Sequence, residues 1–190
     1  MSEVGGRVLK RMGQGALALL LSVSLSADAA PPSPPADADL AVQARDAWVK
    51  RDRKRLAAFA ATARAQNHPL AGWVEYFDLI ARLSEVRQPE MDAFYARYPG
   101  SYVEDRLRND WLLELGHRRD WANFKRDHAS YQMRDDREVA CYAMLAEQAG
   151  GGKVDTDAAR AAWFAQKDGD DGCLQLASAL VDAGQFKPDT

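Results

Sequence analysis

Residues 111–116 (WLLELG), 144–150 (MLAEQAG) and 179–184 (ALVDAG) decide the fold class. Each is the end of an apolar helical run that stops at a glycine, and Gly116, Gly150 and Gly184 stand 34 residues apart. That is the period of helix–turn–helix repeats, in which each unit buries its apolar stripe only against its neighbours. Each glycine is expected just past its helix, in the left-handed region where a Cβ is penalised. An aromatic residue follows each one: Trp121, Trp163 and Phe186.

Outward from these three ends the chain reads as helix after helix. Leu40, Ala44, Ala47 and Trp48 share one face, as do Leu56, Phe59, Ala60 and Ala63 in the segment from Asp52 to Ala65. His68-Pro69 breaks the chain. Leu70, Trp73, Val74, Phe77, Ile80 and Ala81 form the next stripe. Pro89 suits a first helical turn, where no amide partner is lost, and that helix stops at Pro99-Gly100. Ser101 with Glu104 predicts a capping box for a long helix through Leu115, ended by Gly116. Further helices are expected from Asp120, from Asp135 or Asp136, from Thr156 or Asp157, and from Asp171 or Gly172. No segment reads as strand. The expected fold is all-α: a right-handed superhelix of short antiparallel helix pairs, an α-solenoid of the tetratricopeptide kind.

The amino-terminal stretch reads as a targeting segment. Arg7, Lys10 and Arg11 precede the apolar run ALALLLSVSL, and Ala27-Asp28-Ala29 follows it as an A-x-A pattern. The apolar run is shorter than the ~20 residues needed to span a bilayer. Residues 1–30 are therefore expected to be a cleavable signal peptide, with the mature chain starting at Ala30 or Pro31 in the periplasm and holding no stable membrane span. Residues 31–37 form a proline-rich linker, PPSPPAD, with Asp37 or Asp39 as the first N-cap. Residues 38–190 form the helical domain, expected to be truncated at its carboxyl end, since no polar capping helix follows the last repeat.

Composition narrows the function. The net charge is −3, with no dense basic face of the kind nucleic acid requires, so nucleic acid is not expected as a partner. In an oxidising periplasm, the two cysteines Cys141 and Cys173 are expected to form a disulfide; two buried thiols that never meet are the alternative. His68, His117 and His128 are scattered without metal-ligand spacing, and no metal or other cofactor is expected. The turn Asp168–Gly172 lacks the ligand spacing and terminal glutamate of a calcium loop and reads as a solvated acidic turn. No motif arranges Ser, His and Asp as a triad. Glu75, beside Trp73, Tyr76 and Phe77, is the best local candidate for a glycosidase-type acid, although a salt-bridged helix carboxylate fits better. Trp48, Trp73, Trp111, Trp121 and Trp163 could stack on sugars, but their positions on apolar faces point mostly to the core. The run Lys50-Arg51-Asp52-Arg53-Lys54-Arg55 could touch an anionic surface and reads more simply as a solvated turn. No catalytic residue is assigned.

Four stretches together carry a family resemblance: HPLAGWVEY (68–76), FYARYPGSYVEDRLRNDWLLELGHRRDWANF (94–124), DDREVACYAMLA (135–146) and GCLQLASALVDAGQ (172–185). In order and spacing, this series resembles the amino-terminal superhelical region of soluble lytic murein transglycosylases, from about Leu40 to Gly184. Its most specific parts are Pro69-Leu70 with Glu75-Tyr76, the block from Arg108 to Trp121, and the placing of Cys141 and Cys173. The resemblance implies a signal peptide, a U- or ring-shaped helical array, and peptidoglycan as the partner. It also implies a lysozyme-like catalytic domain at the carboxyl end of the family. That domain cuts between N-acetylmuramic acid and N-acetylglucosamine, without water, to give a 1,6-anhydro product. The family's catalytic motifs, Glu-Ser-x-Phe, Gly-Leu-Met-Gln and Ala-Tyr-Asn-Gly, do not occur here. The expectation is thus the superhelical region of a periplasmic lytic murein transglycosylase, acting with a catalytic domain that is absent from this sequence. The alternative is a stand-alone periplasmic helical-repeat scaffold that binds a protein partner.

Overall fold

A computed structural model describes residues 36–186. The expected signal peptide, most of the proline-rich linker and the last four residues lie outside the described part. Among the described residues the structure is helical throughout, with no strand: α1 (Ala36–Val49), α2 (Arg53–Ala65), α3 (Ala71–Ile80), α4 (Gln88–Arg97), α5 (Tyr102–Arg118), α6 (Trp121–His128), α7 (Arg137–Ala149), α8 (Thr156–Phe164) and α9 (Asp171–Asp182). A short 3₁₀ turn, Leu83–Glu85, lies between α3 and α4. The all-α expectation therefore holds.

Local chemistry starts most of these helices. A side-chain oxygen accepts from a first-turn amide at Asp52, Ser101, Asp120, Asp136, Asp155 and Asp170, ahead of α2, α5, α6, α7, α8 and α9. Each such cap satisfies an amide that the helix leaves without a partner. Pro89 lies in the first turn of α4. Helix α1 already runs at Ala36, so Asp37 lies inside its first turn and not ahead of it.

The odd-numbered helices form one row: α1 packs on α3, α3 on α5, α5 on α7 and α7 on α9. Helices α2, α6 and α8 each lie against the two odd helices that flank them in sequence. The 34-residue period also appears in the cross-links. Tyr76 OH donates to Asp110, Arg126 to Asp92, and the Gly172 amide to Glu138, each across 34 positions. A smaller apolar cluster joins α1, α2 and α3 through Ala44, Leu56, Ala63 and Val74. The larger one runs from Tyr76 to Leu180 around Phe94, Trp111, Phe124 and Tyr142.

The three glycines that mark the period do three different jobs. Gly184 has φ +68 with open space around it, the left-handed helix end expected of it. Gly150 ends α7 at φ −83, and the left-handed position passes to Gly151. Gly116 does not end its helix. Helix α5 continues to Arg118, and Arg119 takes the left-handed conformation, at φ 55. Gly116 is instead a packing position: a Cβ there would sit on the ring of Tyr142. Tyr142 is fully buried, and a Cβ at Gly172 would come within 3.1 Å of the same ring. Two glycines thus let α5 and α9 close on one aromatic side chain of α7.

Candidate functional site

Glu75 stands in the middle of α3 and is buried, at 2% exposure. Three donors converge on it, from α2, from the last residue of α4 and from the residue after it. Arg97, at the end of α4, donates to Oε2 at 2.6 Å, and Arg64 of α2 donates to the same oxygen at 3.3 Å. The Tyr98 hydroxyl donates to Oε1 at 2.6 Å. Burial first, and the Glu75 carboxylate second, push the Tyr98 phenol up to about 12. A carboxylate whose two oxygens already accept from three fixed donors serves as a clasp between α2, α3 and α4. A second ionic layer, Arg82 with Asp78 and Glu90, lies beside it in the same shallow hollow, where cations and carboxylates balance.

A parallel cluster fastens α4, α5 and α6. Gln88 accepts from the Trp111 indole and donates to Asp127 and Asp92. Burial pushes the Asp127 carboxyl above its usual range, against the pull of Gln88 and Arg126. Arg108 is buried over the Tyr95 ring and paired with Glu104 and, at 3.9 Å, with Asp127. Sequence reasoning could not assemble these clusters, because their members come from separate helices tens of residues apart.

The cysteines meet. Cys141 of α7 and Cys173 at the start of α9 are joined as a disulfide with Cα atoms 4.9 Å apart, and both are buried. In the acidic turn before α9, Asp168, Gly169 and Asp171 are exposed, whereas Asp170 is engaged. Asp170 caps α9 through the Cys173 amide at 2.7 Å and accepts from Arg137 at 2.8 and 3.0 Å. Replacing Asp170 by alanine should cost about 1–2 kcal/mol, read from the urea midpoint, because the cap and a partly buried charge-assisted pair are lost together.

The histidines lie apart. His68 is buried and accepts from the Leu70 amide. His117 lies near Glu138 and Asp171. His128 stacks on Phe124, where burial and Arg134 hold its pKa below the ordinary histidine value. Among the described residues no group of three or more His, Cys, Asp or Glu side chains is placed to hold a metal ion. Of the five tryptophans, Trp111 alone is fully buried; Trp73 and Trp121 pack partly into the core, and Trp48 and Trp163 are exposed. Most of the tryptophans thus pack in or against the core, and Trp48 and Trp163 are the exceptions. Those two sit on the first and last helix pairs among the described residues.

One surface groove, about 470 Å³ in volume, brings together chemistry that the sequence keeps apart. Trp121 and Leu174 line it with Arg119, Gln175, Ser178 and Asp182, and Arg119 reaches Gln175 across 56 positions. An indole beside donors and acceptors is the kind of lining that sugar hydroxyls and sugar faces can use. Helix length adds one further fact: no described helix is long and apolar enough to cross a membrane.

These observations define an array of helix pairs whose buried polar groups tie neighbouring helices together. The array resembles a solved structure, the complex of the 70-kDa soluble lytic transglycosylase with bulgecin A, at a TM-score of 0.59 and 19% identity. The match covers 83% of this chain and 25% of that one, so this chain spans about a quarter of the length of the chain it resembles. At this identity the likeness is one of fold. Neither a family model nor a curated protein matches the chain.

Proposed function

We propose that this chain is a murein-associated helical region, the superhelical part of a periplasmic lytic transglycosylase, which binds peptidoglycan without cutting it. The observation that carries the reading is the helical fold shared over 83% of the chain with a soluble lytic transglycosylase. It agrees with the order of the four resembling sequence stretches from residue 68 to residue 185. In this reading residues 1–30 direct export and are cleaved, and bond cleavage belongs to a separate catalytic domain. Glu75 supplies no acid, since its oxygens are taken up by Arg64, Arg97 and Tyr98.

The test is to incubate the purified protein with peptidoglycan sacculi and follow both sedimentation and soluble products. The protein should pellet with sacculi, and chromatography should show no 1,6-anhydromuropeptides above background. Anhydro products that disappear with Glu75→Gln would overturn the non-catalytic reading. Failure to pellet would favour the second reading, a scaffold for a protein partner. The exposed Phe164, Leu174 and Val181 on α8 and α9 suit that reading.

A further inference from the structure

The chain is acidic overall, yet the junction between its first two helices is strongly basic. Residues 45–55 carry six cations, Arg45, Lys50, Arg51, Arg53, Lys54 and Arg55, against two carboxylates, Asp46 and Asp52. Asp52 is engaged as the cap of α2, and Arg53 is paired with Glu85. The other five cations are exposed and, among the described residues, have no carboxylate within ion-pair distance. Apolar groups share this tip. Val49, the last residue of α1, is 66% exposed, and Trp48 is 39% exposed although it stacks on Phe77 at 5.5 Å. Trp48 and Val49 line a surface groove with Arg51, Arg53 and Ala81.

We propose that the turn between α1 and α2 docks on an anionic lipid surface. Among the described residues the groove lining offers cations and apolar atoms but no carboxylate or amide side chain to accept from a sugar hydroxyl. That combination suits phosphate headgroups above an acyl boundary, with an indole at the interface. The unpaired cations complement the negative charge of such a surface, and each one close to it strengthens binding roughly 5-fold. The contact is peripheral and reversible, and it holds whether or not the chain binds peptidoglycan.

The experiment measures partition of the full chain into vesicles of phosphatidylcholine, with and without about one-third phosphatidylglycerol. The quantity read is the ratio of the two partition constants. Any binding through the apolar stretch at residues 16–25 contributes to wild type and variants alike. Lys50→Glu/Arg51→Glu/Lys54→Glu should reduce the ratio by roughly 100-fold or more, and so should raising salt from ~50 to ~500 mM. Val49→Asp should weaken binding to the anionic vesicles as well, and it keeps the test open if the triple variant does not fold. Lys153→Glu/Lys167→Glu, at the far end of the chain, should leave the ratio unchanged. An unchanged ratio in the triple variant, or an equal fall in the far-end variant, overturns the proposal. So does loss of sacculus binding in the triple variant with vesicle partition intact, which would assign the tip to a polysaccharide.

Discussion

Replacing both Cys141 and Cys173 by alanine should lower the stability of the folded protein by about 3–4 kcal/mol. The disulfide closes a loop across 32 sequence positions that contains all of α8 and the glycine-rich turn before it. Chain-entropy reasoning gives that magnitude for a loop of this length. The loss should be uneven. Helix α8 has a single fully buried residue, Ala159, so it depends on α9 being held against α7. Hydrogen exchange should therefore quicken first in α8 and α9, and in α3 and α5 only near the global transition. The urea midpoint of the oxidised protein, set against the reduced protein and the double variant, measures the total. Two alkylatable thiols in unreduced, denatured protein from an oxidising compartment would remove the disulfide itself.

Gly116→Ala should cost about 3 kcal/mol, although alanine is the better helix former by nearly 1 kcal/mol. The new methyl would occupy space already held by the ring of Tyr142, which is fully buried against α5, α6 and α9. Overpacking of this kind forces a core side chain out of its rotamer or moves a helix. A double-mutant cycle separates this from an effect on the helix end. In a Tyr142→Ala background the clash is gone, and Gly116→Ala should become neutral or mildly stabilising as the helix preference reappears. An equal cost in both backgrounds would show that Gly116 acts through its backbone after all.

What the sequence revealed, and what it hid, follows from the range of each interaction. Helix starts were legible because the caps are local: Asp52, Ser101, Asp120 and Asp136 each act on an amide two or three residues away. The end of α5 was misplaced because glycine has two uses, and only the partner, Tyr142, 26 positions on, tells them apart. Periodicity placed all five tryptophans on apolar faces, but a face does not show how deep a residue lies. Trp48 and Trp163 stayed exposed where the array of described helices stops. Glu75 drew attention through its aromatic neighbours in sequence, whereas its role is set by Arg64, Arg97 and Tyr98, 11, 22 and 23 positions away. The segments that carry the family resemblance include Glu75, Tyr76, Arg108, Trp111 and the two cysteines, nearly all buried fastenings between helices. They speak to architecture, and chemistry has to be sought on the surface.

The link between α7 and α9 also sets how the protein responds to a mechanical load. Elements that touch mainly their neighbours tend to give way in sequence when the two ends are drawn apart. The covalent tie withholds the 32-position span from Cys141 to Cys173 from that sequence. At full extension it would amount to roughly 110 Å of chain. A load drawing the two ends apart would pass through the tie and bypass the loop it closes. The stretch between the cysteines would not lengthen, whereas α9, which lies almost wholly beyond Cys173, could still be drawn out.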